Sequence, residues 1–393
     1  MGECKEYRLG DLFERVTRKN SNLESENVLT ISAQHGLINQ EEFFNKSVAG
    51  KNLKNYCLLK KGEFAYNKSY SAGYPMGATK MLEKYNEGVV STLYICFKSK
   101  SNLVYNEYFK YFFESKEYYD ELSKIAQEGA RNHGLLNVSV NDYFNIKIKV
   151  PSLSEQKKLA KLLNNIEKII RNCKLISNNT FKEKKYYFNK IVNEKSINRV
   201  MLKNIITFRN GYAFKGNEYI TDGKYNVITI SNVQGGKYID INNRTQKVNS
   251  IPSKMLDYQI LKENDLLVSL TGNIGRVSLN KGNNNLLNQR VGLLEVDEKN
   301  INKLYLYYYL SLSDFQLKMK KNGQGGAQKN ISKNDICHYS IKLLNNDDAK
   351  KLINMLNVFD DIINIYERKI KEYDNLKIWL MKNVLTGKVK IKI

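Results

Sequence analysis

Apolar residues along this chain follow two periods in turn, and the whole alternation occurs twice. Short β-branched runs, VLTIS (28–32), VVSTLYICF (89–97) and YFNIKIKV (143–150), are bounded by Gly, Asn and Lys and predict strands. Residues 103–127 change to a helical period, with Phe109, Phe112, Phe113, Tyr119, Leu122 and Ile125 on one face. Pro151 then ends a strand, and Ser152-Leu153-Ser154-Glu155 has the form of a capping box. Apolar positions recur at 159, 162, 163, 166, 169, 170, 173 and 176, which predicts a long amphipathic helix with a kink or loop at SNNT (177–180).

The same order returns at offsets of 193 to 202 residues. VITIS (227–231), DLLVSL (265–270), QRVGLLEV (289–296), a helix over 301–320 and YSIKLL (339–344) lead to a second stripe at 352, 355, 356, 359, 362, 363, 366, 370, 373, 380 and 384. A repeat this long is a duplicated domain, because solenoid periods run at roughly 20–50 residues. The expected fold is α+β: two tandem α/β domains separated by two long helices that pair as an antiparallel coiled coil. Residues 1–150 and 198–344 form the domains, and 151–197 and 345–393 form the helical spacers. Helices of ~40 residues are ~60 Å long, and pairing would put the two domains at opposite ends of one rod.

Charge narrows the function. Sixty-three Lys and Arg against 40 Asp and Glu leave a net +23, which favours a polyanionic partner and above all nucleic acid. Only 11 of the 63 are Arg, so AT-biased coding supplies part of the lysine excess. Five scattered cysteines with no Cys-x-x-Cys pair suit a reducing cytoplasm. Nothing approaches the ~18–20 apolar residues of a membrane span.

Catalytic chemistry is poorly represented. An amino-methyltransferase needs an Asn/Asp-Pro-Pro-aromatic loop, whereas Pro75, Pro151 and Pro252 stand apart. There is no phosphate-binding Gly-x-x-x-x-Gly-Lys motif. His35, His133 and His338 are far apart, so no metal site is expected, and Cys337-His338 reads as structural. Glu183-Lys184-Lys185 reads as a solvated helix face.

Base-reading residue types are better placed. Arg and Lys match guanine, and Asn and Gln match adenine. The first copy offers Gln34 and His35, then Lys68 and Tyr70, then Arg131, Asn132 and His133. The second offers Asn232 and Gln234, then Thr271, Asn273 and Arg276, then Gln289 and Arg290, and finally Gln328 and Lys329. Each could be an ordinary surface loop; their parallel placement in both copies is the stronger signal. Lys68, Lys80, Lys215 and Lys329 suit phosphate contacts, which position without specifying.

Several strings resemble the specificity subunits of type I restriction–modification systems. They are PSLSEQKKLAKLLNNIE (151–167), TGNIGRV (271–277), NQRVGLLEV (288–296), GGAQKNISKNDI (325–336) and LTGKVKI (385–391). The resemblance covers essentially the whole chain. One departure is Asn345-Asn346-Asp347-Asp348, where a Ser-x-x-Glu helix start is expected. The resemblance implies a non-catalytic chain whose two target recognition domains each read half of a split, asymmetric DNA site. It implies two modification subunits that carry S-adenosylmethionine and methylate adenine, and restriction subunits that use ATP and magnesium, with no cofactor in this chain. Two other readings are a single-chain methyltransferase fusion and a coiled-coil assembly protein without sequence readout.

Overall fold

The computed structural model describes residues 4–32, 36–44, 52–70, 73–128, 136–323 and 330–385. Two compact units divide the chain. The first joins Met1–Lys174 to Glu367–Ile393, and the second is Leu175–Tyr366.

Each unit is built on a four-stranded antiparallel sheet of the same strand order. In the first the order is Phe13–Arg15, Ile95–Ser99, Phe64–Asn67, Ala78–Met81. In the second it is Ile206–Asn210, Val291–Val296, Leu266–Ser269, Val277–Leu279. A short ladder closes each copy, Lys5–Arg8 against Lys147–Val150 and Asn198–Met201 against Ser340–Leu343. Every copy therefore begins and ends side by side, and its last strand leads straight into a long helix. Phe13 meets Phe64, Phe97 and Phe109 edge-on, Phe113 meets Phe64 edge-on, and Phe64 stacks on Phe97 at the first sheet. The tyrosine-rich helices likewise face inward, with Tyr108, Tyr118, Tyr305 and Tyr308 fully buried.

Four local expectations are corrected. The pattern over 103–127 folds as two helices, Asn106–Phe112 and Lys116–Ile125, because Ser115 takes extended backbone and its hydroxyl caps the Tyr118 N–H at 3.3 Å. Residues 301–320 also split, into Lys303–Leu312 and Phe315–Asn322, where Ser313 takes extended backbone and its hydroxyl accepts the Phe315 N–H at 3.2 Å. VITIS is strand only to Ile228, where the Asn232 side chain accepts the Thr229 N–H at 2.9 Å and turns the chain. By contrast SNNT causes no break, and the first long helix runs unbroken over Leu153–Lys195.

The caps explain where the long helices start. Ser152 and Glu155 exchange the expected reciprocal bonds, Ser152 N–H to Glu155 at 3.2 Å and Glu155 N–H to Ser152 at 3.4 Å. The departing Asn345 segment caps just as well, because Asn345 Oδ1 accepts the Asp348 N–H at 2.8 Å ahead of the second long helix, Asn346–Asn383. Among the described residues, no helix is long and apolar enough to cross a membrane.

In each unit the two long helices meet at a polar knot, part-buried in the first and buried in the second. In the first unit the Tyr111 hydroxyl shares its one proton between Asn164 (2.6 Å) and Glu167 (2.8 Å) on the first long helix, and Lys377 from the second donates to Glu167 at 2.5 Å. In the second unit the Tyr308 hydroxyl shares its one proton between Asn357 (2.7 Å) and Asp360 (2.6 Å) on the second long helix, and Lys184 from the first pairs with Asp360. The two helices have exchanged roles. Lys184–Asp360 and Lys195–Asp348 also set the antiparallel direction in the second unit. Lys184 thus overturns its reading as part of a solvated face, with a side chain only 5% exposed against 13% for Asp360. Burial holds its ammonium below the ordinary lysine range against the pull of Asp360. In the first unit burial would raise the Glu167 carboxyl, but Lys377 and then Lys110 outweigh it and hold it below its ordinary value.

Breaking a buried ion pair from one side leaves a charge without its partner, at about 3–5 kcal/mol. Lys184→Met is expected to cost that much in denaturant unfolding, and Lys184→Met/Asp360→Leu to recover most of it. Lys377→Met should cost clearly less, since Lys110 remains 3.5 Å from Glu167 and that pair is more exposed. Equal costs for the two lysines would refute the ranking. The lowered Glu167 carboxyl stabilises the folded chain when ionised, above its ordinary value of 4.5, and that contribution fades as pH falls through the folded value. The stability gap between the unaltered chain and Glu167→Gln should therefore narrow as pH falls from above 4.5 through the lowered folded value. A gap that stays constant over that range would contradict the assignment.

Candidate nucleic-acid interface

Three loops of the second unit converge where its sheet strands end. Loop 270–276 joins Leu266–Ser269 to Val277–Leu279, and loop 288–290 leads into Val291–Val296. The Leu270 N–H donates to the Arg290 carbonyl at 3.0 Å, and the Asn288 N–H to the Ile228 carbonyl at 3.2 Å, which brings in the loop after Ile228.

Loop 270–276 is held from below. Ser269 is fully buried; its hydroxyl donates to the Asn273 carbonyl at 2.6 Å and accepts the Arg276 N–H at 3.0 Å. Gly275 has φ +73°, and a Cβ there would stand 3.0 Å from Met319, so both backbone and space call for glycine. The result is a notch of about 320 Å³ lined by Ile230, Ser231, Gln234, Gly272 and Asn273.

The expected base readers fall into distinct places. Gln234 and Asn273 are exposed at the notch, and Arg276 Nη1 donates to Gln234 Oε1. Gln289 and Arg290 are exposed on the neighbouring loop, with Asn288 Oδ1 accepting the Arg290 N–H at 3.1 Å. Thr271 is half-buried, its hydroxyl lacks a hydrogen-bond partner among the described residues, and its backbone bridges Asn330. Asn232 is buried, and its amide is fully engaged with Thr229, Asp240 and Thr245. It builds the turn and has no edge left for a base. Gln328 and Lys329 lie outside the described residues.

In the first unit, Lys68 follows the strand Phe64–Asn67, half-buried, with its ammonium 3.5 Å from the Val138 carbonyl. Tyr70 beside it is 63% exposed. Gln34, His35, Arg131, Asn132 and His133 lie outside the described residues. The frame matches that of the second unit: Lys68 O accepts the Leu136 N–H at 2.8 Å, as Leu270 O accepts the Ile331 N–H at 3.0 Å. Of the expected phosphate contacts, Lys215 is exposed, whereas Lys80 is taken up by Glu114 and Tyr74.

Among the described residues, no three His, Cys, Asp or Glu side chains converge to hold an ion. Cys337 is buried, and His338 Nδ1 lies 2.9 Å from the Asn334 carbonyl. The exposed groups are hydrogen-bonding amides and two guanidinium groups that have no carboxylate partner among the described residues.

Known proteins show the same frame. The family model for the type I restriction modification DNA specificity domain matches residues 1–188 and again 194–373. A type I restriction enzyme specificity subunit, MjaVIII, of Methanocaldococcus jannaschii is 24% identical over 332 residues, covering 78% of this chain and 75% of its own. The putative MjaX specificity subunit of the same organism is 23% identical over 310 residues, covering 75% and 70%. Among solved structures, a type I restriction–modification S subunit from M. genitalium has a TM-score of 0.57 at 14% identity and covers 98% of this chain and 97% of its own. A chain of a type I system solved for complex assembly and conformational transition has a TM-score of 0.56 at 12% identity and covers 99% of both. These two likenesses concern the fold. With both halves matched by one model, the chain belongs to the type I restriction–modification DNA specificity family, as a specificity subunit with two tandem specificity domains.

Proposed function

We propose that the two domains, 1–150 and 198–344, each read one half of a split, asymmetric DNA site, and that the helical segments 151–197 and 345–393 set the gap between the halves. The observation that carries this is the shared frame with unlike loops. Lys68 O and Leu270 O hold the same returning segment in each copy, yet Lys68 and Tyr70 border it in one, and Gln234, Asn273, Arg276 and Arg290 in the other. Different side chains on one frame suit two different base sequences. Gln34, His35, Arg131, Asn132, His133, Thr271, Gln289, Gln328 and Lys329 belong to the same proposed surface. The net +23 charge supplies the salt-sensitive attraction to phosphates that precedes any reading.

The chain acts as a dock in this reading. Two modification subunits bring S-adenosylmethionine and methylate adenine, and restriction subunits bring ATP and magnesium. The specificity chain needs no cofactor of its own and works in the cytoplasm.

Exchanging residues 1–150 for another recognition domain, in complex with the modification subunits, tests the division. Mapping methylated adenines by long-read sequencing should show one half-site changed and the other kept. An unchanged motif would sink the proposal. The spacer role has its own test. One helical turn (~4 residues) added after Ser177, with a matching turn in the second long helix, adds ~5.4 Å. The tolerated gap should lengthen by about one to two base pairs. A turn in one helix alone should instead cost stability, since it misaligns a lysine with its carboxylate. A gap that ignores the matched insertion would rule out the spacer role.

A further inference from the structure

Gln234 and Arg276 were both expected to meet DNA, but the structure gives them unequal parts. The Gln234 amide has both hydrogens engaged, donating to the Ile230 carbonyl at 3.1 Å and the Ser231 carbonyl at 2.9 Å. Its oxygen faces Arg276 Nη1. This orientation is forced. Turned over, the oxygen would face two carbonyl oxygens and the NH₂ would face a guanidinium, with no acceptor on either side. Gln234 therefore lacks the free donor that the paired contact to adenine requires.

Arg276 is the opposite case. A guanidinium has five N–H donors, and one hydrogen bond to Gln234 is all that its side chain makes among the described residues. Arg209 and Arg18, in contrast, are neutralised by Glu295 and Glu63. The Arg276 backbone is locked through Ser269, and its stem runs past Gly235. Gly235 has φ +86°, a left-handed turn that favours glycine, and its Cα side packs at ordinary contact distance along that stem, a Cβ there standing 3.7 Å from the Arg276 Cδ. The fork is thus aimed before any ligand arrives, which reduces the rotamer freedom lost on binding. The Gln234 that it meets lines the notch together with Gly272 and Asn273.

We propose that Arg276 reads a guanine in the half-site of the second domain, through paired bonds to O6 and N7, and that Gln234 is the positioning residue that aims it. The inference rests on the DNA-reading function proposed above and adds a named base class to it. A planar fork with two adjacent free donors matches the two acceptors on the major-groove edge of guanine and no other base edge. Asn273 lines the same notch with its own amide toward solvent and suits the neighbouring base or phosphate.

The test uses the chain assembled with its modification subunits, with methylated motifs mapped by long-read sequencing for the unaltered chain, Arg276→Lys, Arg276→Ala and Gln234→Ala. Arg276→Lys keeps the charge and loses the fork. It should relax one G·C position of one half-site by roughly 10- to 100-fold, leaving the other half-site unchanged. Gln234→Ala should relax the same position by a smaller factor, which general weakening of the loop would not confine to one base pair. The proposal is overturned if Arg276→Lys keeps the motif while Arg276→Ala weakens all sequences alike and lowers the salt slope, the mark of a phosphate contact. Relaxation at an A·T pair overturns it too. An unaltered complex that showed no sequence motif would overturn the DNA-reading function first, and this inference with it.

Discussion

The lysine–carboxylate pair beneath a buried tyrosine is the contact on which each unit depends. It joins three elements at once: a helix of the sheet domain through Tyr111 or Tyr308, one long helix through Asn164 and Glu167 or Asn357 and Asp360, and the other through Lys377 or Lys184. Apolar stripes alone tolerate sliding, since one leucine replaces another a turn away. A carboxylate that needs a particular lysine and a particular phenol does not. Hydrophobic burial supplies most of the stability, and the knot selects one register from among those that burial allows.

That division between frame and content recurs at the loops. Backbone bonds place the returning segment alike in both copies, through Lys68 O and Leu270 O, and a main-chain bond is indifferent to side chains. Ser269, Gly275 and Asn232 go further and fix the second unit's loops from beneath without reaching the surface. The outward side chains can therefore vary while the frame stays put, as a family of readers for different sequences requires.

Much of this organisation is legible in the sequence, because duplication, strand runs and helical stripes are local patterns. The Ser152–Glu155 cap follows from spacing alone. What escaped depends on partners distant in sequence. Lys184 looks solvated within Glu183-Lys184-Lys185, and only Asp360, 176 residues on, makes it a core residue. Asn232 looks like a base reader until Asp240 and Thr245 engage its amide. The breaks at Ser115 and Ser313 were masked by continuous apolar periodicity, which reports a buried face and not an unbroken axis. The repeat held one unused clue. Tyr111, Asn164, Glu167 and Lys184 recur as Tyr308, Asn357, Asp360 and Lys377 at offsets of 197, 193, 193 and 193, so each carboxylate takes its lysine from the other copy of the long helix.

The exchanged helices also order events in time. Residues 175–366 are contiguous, so a ribosome delivers every part of the second unit in one run. The first unit must wait. Its core includes Leu380, Val384 and Leu385, and the hydroxyl of Tyr108 donates to the Leu385 carbonyl at 3.3 Å. The domain made first is thus the one completed last, standing open along one side while more than two hundred later residues are synthesised. Damage near residue 380 would be felt at the other end of the message, in the domain whose translation finished long before.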